Sequence, residues 1–423
     1  MRLVWRSCIG CVLVNSLAAS VAAQTPLTWE QIRTRFASTN PTVQAGAIGV
    51  DESRATETTA YLRPNPLVSV SVDQFPLSGD ATNPADNLIT VASFGYLVER
   101  DRKRELRRDS ARGATAIAES TQADAIRNLL FMLRTAFVQT LQAKAFQKLA
   151  QDNLANYDQV LSISRERLQG GDISQVDFNR LHLQRVQYES DIQTAAVNLR
   201  TAKIQLLRLL NDTTPVEQFD VMGPFDFTES IESLAAFRQM ALDTRPDLKA
   251  AQLAVAKAAT DHQLALANGS TDPTLGFDLG HQQTRDNSTP PMSTWIGVNV
   301  ALPLRVFDKN QGEKMRTELD VTRNQRLVDA ARAQVLSDVD SAYATVMSTV
   351  ALLRPYKDSY LAEAASVRDT VTFSYQSGGA SLLEFLQAQQ EARAVQVSYV
   401  NLVAAFLNAV SQLNLSVGRE VIQ

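Results

Sequence analysis

Cysteine is nearly absent from this chain of 423 residues: there are two, Cys8 and Cys11, both close to the N-terminus. Downstream of them no thiol is left for a disulfide, a thiolate metal site or covalent catalysis. Histidine is almost as scarce. His182, His262 and His281 lie on separate stretches with no H-x-x-x-H or H-x-x-E spacing, so each reads as a surface or packing residue and no metal site is expected. The methionines are scattered, which leaves no ladder for a soft metal. A phosphate loop and a G-x-S-x-G elbow are both missing, and the Gly-Gly pairs lack the strand-to-helix setting of a nucleotide site. The pattern supports no enzyme and no cofactor. Acidic residues outnumber basic ones, 45 to 41, which argues against nucleic acid as a partner. Beyond the first two dozen residues, no run approaches the roughly 18 uninterrupted apolar residues of a transmembrane helix.

Those first residues read as a secretory signal peptide, residues 1–23. Arg2 and Arg6 precede an apolar run from Cys8 to Val14, and Val21 and Ala23 are the small residues before a cleavage point near Gln24. A lipidated Cys11 is the less favoured alternative, because ten residues precede it and Cys8 suits a lipobox poorly.

The rest of the chain repeats an order of parts. A first half, 24–230, and a second, 231–423, each open on a short amphipathic piece, "TWEQIRTRFAS" or "SLAAFRQMALD", followed by a proline-led longer helix at Asn40-Pro41 or Arg245-Pro246. Proline suits the first helical turn and Asn40 can cap it. Segments with period two follow, "PLVSVSVDQ" and "NLITVASFGYLV" within 67–98, "PTLGFDLGHQ" and "STWIGVNVAL" within 274–302. Alternation of this kind predicts two β-hairpins with one apolar and one polar face. Their loops fall at Phe75–Asn87 and Gln283–Met292, rich in Pro, Asn, Ser and Asp. Each half closes with a long helical hairpin, about 102–210 and about 308–416, and a linker, 211–230, joins the halves.

Two Gly-Gly breaks interrupt the long helices, "LQGGDIS" at Leu168–Ser174 and "YQSGGAS" at Tyr375–Ser381. After the first, steps of three and four from Phe178 land on apolar residues as far as Leu209, with only Arg185 as an exception. The corresponding positions from Phe385 to Leu413 are all apolar, and Ser416 alone departs. This is a coiled-coil seam, for which core stripes of two ordinary helices are the plainer alternative. Each break thus turns one long helix into its own antiparallel partner, with Gly171 and Gly378 supplying positive φ. Gly379 follows the second stop, as Asp172 follows the first. Ser174 and Ser381 can cap the returning helices, with Asp177 and Glu384 as capping-box acids or first-turn charges. Pro355 is expected to bend the second long arm.

Helices of about 100 Å with two β-hairpins at one end cannot bury the strands in an ordinary core. Four strands cannot close a barrel, so each chain must supply part of a shared one, given the cost of open edges in lipid. Phe94, Tyr96 and Trp295 suit an interfacial girdle, or equally core packing.

At this point the chain resembles the outer-membrane efflux protein family typified by TolC, over essentially its whole length after the signal. The resemblance implies a chain that is mainly α with a small β part, and a homotrimer with a twelve-stranded outer-membrane barrel above a periplasmic helical tunnel. It implies a tip at Gly171, Asp172, Ser174, Gly378, Gly379 and Ser381 that docks a periplasmic adaptor (a membrane fusion protein), and an inner-membrane pump of the resistance-nodulation-division type. Asp177, Tyr375 and Glu384 match gate positions, although helix capping alone would also explain the two acids. Ala380 stands where the family has arginine and Gln387 where it has a second carboxylate, so a less tightly latched gate is implied. "YLVERDRKREL" and "LPLRVFDKNQGE" resemble segments of the cobalt, zinc and cadmium branch through Glu99, Lys103, Arg104, Pro303, Leu304, Phe307, Asn310, Gln311 and Gly312. Asp101-Arg102 replaces that branch's glycine. Export of divalent cations is the implied function. A drug or type I secretion duct is the alternative within the fold, and a periplasmic coiled-coil scaffold or adaptor without a pore is the alternative outside it.

Overall fold

The computed structural model describes residues 26–74, 88–283 and 292–422. The expected signal segment and the two expected loops lie outside these, apart from Gln283 and Met292, which end strands.

Elements occur in one order twice. The first set is α1 (Trp29–Thr39), α2 (Pro41–Ala60), β1 (Leu67–Asp73), β2 (Ile89–Leu97), α3 (Lys103–Gly170) and α4 (Gln175–Leu209). The second is α5 (Leu234–Thr244), α6 (Pro246–Asn268), β3 (Thr274–Gln283), β4 (Met292–Ala301), α7 (Gln311–Pro355), α8 (Leu361–Gln376) and α9 (Leu382–Val417). α3 runs for 68 residues, about 100 Å at 1.5 Å per residue. Its counterpart is interrupted after Pro355 by a π-helical turn, Tyr356–Tyr360. There the Leu361 N–H donates to the Tyr356 carbonyl, and the Tyr356 and Tyr360 rings meet edge-on at 5.4 Å. The expected bend is thus a widened turn: proline offers no N–H and the ladder is re-spaced around it.

The heptad positions form the packed seam. Leu181, Tyr188, Ala195, Leu199 and Leu206 of α4 are buried, and even Arg185 is half-buried, held by Asp158 at 2.6 Å. In α9, Phe385, Ala388, Ala392, Phe406, Ala409 and Leu413 are buried. α3 packs against α4, and α9 against both α8 and α7. Toward the sheet α2 and α6 lie on α3, and α6 continues onto α7.

The two proline-led helix starts are clasped alike. Thr39 Oγ1 donates to the Leu210 carbonyl at 2.7 Å, and Asn40 Nδ2 to the Leu209 carbonyl at 2.9 Å. In the second half Thr244 Oγ1 donates to Val417 at 2.6 Å and Arg245 to Ser416 at 3.4 Å. Each clasp satisfies carbonyls at the C-terminus of a returning helix, which have no partner within it. Asn40 also caps α2 through the amides of Thr42 and Val43. Arg245 cannot cap, and its buried guanidinium is instead neutralised by Asp247 and Asp338. Residues 211–230, expected as a linker, are packed: Phe219, Val221 and Phe227 are buried, and Leu27 forms a parallel bridge to Val221.

The strands form one antiparallel sheet in the order β1-β2-β3-β4, so the two expected hairpins are joined through β2 and β3. β1 and β4 are its free edges.

Helix stops at the two breaks depend on one residue each. Gly171 has φ +84° and Gly378 φ +82°, whereas Gly170 is helical. A Cβ at Gly170 would lie 3.5 Å from the nearest Asp172 oxygen, an ordinary contact. Gly171→Ala should therefore cost about 1 to 2 kcal/mol, while Gly170→Ala should be neutral or stabilising by up to about 1 kcal/mol. Thermal unfolding of the two variants checks this; equal effects would refute the assignment of the positive-φ residue.

Candidate functional site

Two regions carry distinctive chemistry, the four-stranded sheet at one end and the pair of helical turns at the other. In an antiparallel sheet, paired residues point to the same side and neighbours along a strand to opposite sides. The register therefore sorts the sheet. Val68, Phe94, Phe277 and Val298 stand in one row, and Val70, Ala92, Leu279 and Ile296 in the next. This face is apolar and uncovered: Val298 is 83% exposed and Ile296 71%. The opposite face carries Ser69, Ser71, Asp73, Ser93, Asp278 and Asn299. Asn299 Nδ2 donates to Asp278 at 2.6 Å and the Ser71 hydroxyl to Asp73 at 3.0 Å.

Trp295 departs from the sequence-based expectation. It pairs with Gly280, in the row of Val91 and Ser71, and so stands on the polar face, away from Phe94 and Tyr96. Its indole lies across Gly280 and Gly297. A Cβ at Gly280 would come within 2.1 Å of it, which is why the strands carry glycine at these positions. Phe94 and Tyr96 keep the apolar face.

At the other end, the two turns share one hydrogen-bond pattern. The Gly171 N–H donates to Leu168 at 3.1 Å and the Asp172 N–H to Arg167 at 2.9 Å; the Gly378 N–H donates to Tyr375 at 3.1 Å and the Gly379 N–H to Ser374 at 2.8 Å. Both are Schellman stops. Ser174 and Ser381 then cap α4 and α9 through the amides of Asp177 and Glu384.

The capping differs in one respect. Glu384 Oε2 accepts from the Ser381 N–H at 2.7 Å and from its hydroxyl at 2.8 Å, which completes a capping box. These bonds hold its carboxyl below the usual glutamate range. Asp177, one methylene shorter, accepts from the Ser174 hydroxyl at 2.8 Å but not from its N–H, and Arg180 lies 3.8 Å from its other oxygen. Tyr375 is buried, its ring stacked on Phe385 at 4.9 Å, and burial pushes its hydroxyl above the ordinary tyrosine value.

The structure brings the two turns together through a residue that the motif reading missed. Arg167, in the last turn of α3, donates to the Tyr375 carbonyl at 2.5 Å and lies 5.4 Å from its ring centre. A basic residue in the last helical turn ahead of a glycine stop was the available signal. The histidines are far apart in role: His262 contacts Thr317 at 2.9 Å, His281 contacts Thr294 at 3.1 Å, and His182 is exposed.

Comparison with known proteins agrees with this geometry. The model of the outer membrane efflux protein family matches residues 237–419, from α5 to the end of α9. The cobalt-zinc-cadmium resistance protein CzcC of Cupriavidus metallidurans is 23% identical over 398 residues, covering 93% of this chain and 90% of that one. The second half of the chain is thus similar to the outer membrane efflux protein family, and nearly its whole length to CzcC. A second relative, the pyoverdine export outer membrane protein OpmQ of Pseudomonas aeruginosa, is 25% identical over 78% of this chain and 70% of its own length. The fold is shared with CusC at a TM-score of 0.74, with 17% identity and 92% of each chain covered. These matches place the chain in the outer membrane, extending into the periplasm, and the matched family is one of ducts and not of enzymes.

Bonds from Ser381 to ionised Glu384 give a signed pH dependence. The depressed carboxyl contributes stability that is complete above its ordinary value of 4.5 and is lost as pH falls through the folded-state value. Melting of the wild type should therefore drop on acidification relative to Glu384→Gln, with the two curves parallel at neutral pH. Curves that stay parallel below pH 4.5 would remove the capping role.

Proposed function

We propose that three copies of this chain close their sheets into a twelve-stranded barrel, apolar face to lipid and polar face to the lumen, above a periplasmic tunnel of helical hairpins. The assembly is the exit duct of a tripartite efflux system, and its cargo is divalent heavy-metal cations. The observation that carries the duct is the open sheet, with an uncovered apolar face, a polar opposite face and two unpaired edges. Strands of ten residues, as in β3 and β4, suit a tilted membrane-spanning strand of about 9–11 residues. A scaffold without a pore has no use for such a face.

Likeness to CzcC over nearly the whole chain supports the cation cargo. The residues shared with that branch have structural work beside the sheet. Buried Lys103 binds Asp272 at 2.7 Å, Glu99 pairs with Arg107, and Asn310 Nδ2 donates to the Ala265 carbonyl at 2.8 Å. Arg102, in place of the branch glycine, takes the left-handed conformation (φ +56°) that a glycine would adopt freely, as does Asn310 (φ +61°) at the start of α7. The second reading, export of a small organic cargo, draws on OpmQ. A duct holds no energy source of its own, so a periplasmic adaptor and an inner-membrane pump of the resistance-nodulation-division type complete the system. The two Schellman turns, with Gly171, Asp172, Ser174, Gly378, Gly379 and Ser381, form the tip that meets the adaptor, and Asp177, Tyr375 and Glu384 are placed at its gate.

A deletion strain grown on cobalt, zinc and cadmium salts, with hydrophobic antibiotics in parallel, tests the cargo. We expect sensitivity to the metals that is reversed by the gene on a plasmid; sensitivity to the antibiotics alone would replace the cation reading with the second one. For the gate, Asp177→Ala with Glu384→Ala should raise single-channel conductance in planar bilayers severalfold, and an unchanged conductance would dismiss both as gate residues.

A further inference from the structure

The segment that leaves the last strand and the one that leads into the first lie at one level of the molecule. β4 ends at Ala301, opposite Thr274, which is opposite Leu97; β1 begins at Leu67, opposite Gly95. Both free edges of the sheet thus reach the helical part at the same height, on opposite flanks.

The β4 flank presents a knob. Leu304 is 79% exposed and Phe307 91%, the most exposed large apolar side chain among the described residues, and exposed Asp308 follows. The β1 flank presents a hole, a cavity of about 300 Å³ whose lining includes Arg63, Pro64, Tyr96, Leu97 and Arg102. In the same wall Lys103 and Arg104 are bound to Asp272 and Glu105. Arg63 and Arg102 have no carboxylate within salt-bridge distance among the described residues.

We propose that Phe307 and Asp308 of one copy seat in this cavity of the next copy around the ring, an inference that rests on the barrel proposed above. β4 runs toward the helices and β1 away from them. An antiparallel pairing of these two edges between copies therefore carries residues 302–308 of one chain past residues 63–66 of its neighbour. The contact joins two different surfaces head to tail, the kind that closes into a ring. Phe307 meets Pro64 and Leu97 together with guanidinium groups that favour an aromatic face, and Asp308 supplies the carboxylate that Arg63 and Arg102 lack. The segment also lies on the helical side of the sheet, so this seat locks the ring just outside the strands that share hydrogen bonds.

The chain's two cysteines, Cys8 and Cys11, fall in the segment read as a cleaved signal, so introduced thiols can be followed alone. A Pro64→Cys, Phe307→Cys double variant is oxidised in outer membranes, or treated with a short bifunctional maleimide, and run on a non-reducing gel. We expect most of the protein as covalent dimer and trimer, and single chains for either variant alone. Asp308→Lys in the double-cysteine background should lower the yield severalfold; an unchanged yield would remove the charged half of the seat. A double variant that stays monomeric while an amine cross-linker still traps the trimer would overturn the proposal, as would cross-linking by Phe307→Cys alone. Labelling of Phe307→Cys by a membrane-restricted thiol probe would assign the residue to lipid instead. If the amine cross-linker traps no trimer in the wild type, the ring itself is wrong and this seat falls with it.

Discussion

An unpaired strand edge in hydrocarbon leaves a row of N–H and C=O groups without partners, each costing several kcal/mol. The sheet of this protein has two such edges beside a face that is apolar and uncovered. In water the face is the liability, and in lipid the edges are; no arrangement of a single chain removes both. Recruiting further copies removes the edges while leaving the apolar face to lipid. The proposed ring of strands then dictates a ring of helices beneath it. α4 already shows two seams: a buried one from Leu181 to Leu206, and a second apolar row at Val176, Leu183, Val197 and Ile204, all more than half exposed. Spacings of seven, fourteen and seven along that row, broken at Ser190, are those of a helix with another neighbour to meet.

A long helical hairpin transmits little if its ends fray, and the duplicated clasps address this in chemically different ways. The first uses neutral groups, Thr39 and Asn40, on the carbonyls that end α4. The second uses Thr244 with a buried arginine, and a buried charge is tolerable only when paired. That requirement brings Asp247 and Asp338 into the second half, with no counterpart in the first. The clasp therefore shares its backbone targets between the halves while its side chains have diverged. This explains how Asn40-Pro and Arg245-Pro can mark the same structural position.

How legible all this is from the residues depends on the range of the interaction. Helix seams, capping serines and the two glycine stops rest on contacts three to seven residues apart, and their spacing announces them. The sides of the strands were legible too, from period two, except at Trp295. There the hydrophobic character of the indole suggests the lipid side, while the register puts it on the polar one, over glycines that no alternation rule would pair with it. Contacts between distant segments left no signal: the bridge of Leu27 to Val221, the bond of Trp29 to Glu420 at 2.7 Å, and the joining of the hairpins through β2 and β3. Arg167 is an intermediate case, visible as a helix-terminal cation but not as the link between the two turns.

The geometry of those turns bears on how firmly the proposed gate can be held shut. A carboxylate latches only with oxygens that are not already engaged. Glu384 directs one oxygen at both donors of Ser381, and its capping box persists whatever the neighbouring chain does. Tyr375 is enclosed by Phe385 and Arg167 within its own chain, which commits its ring to packing there. Asp177 alone keeps an oxygen in reach of a cation, and the arginine it meets, Arg180, is on the same helix and largely exposed, a pairing worth at most about 1 kcal/mol. With Ala380 and Gln387 at positions where charge would strengthen such a latch, the proposed gate would combine the Asp177 and Glu384 carboxylates with the apolar packing around Tyr375 and Phe385. Packing of that kind responds to displacement of helices, which an adaptor pressing on the tip can produce, and only weakly to salt.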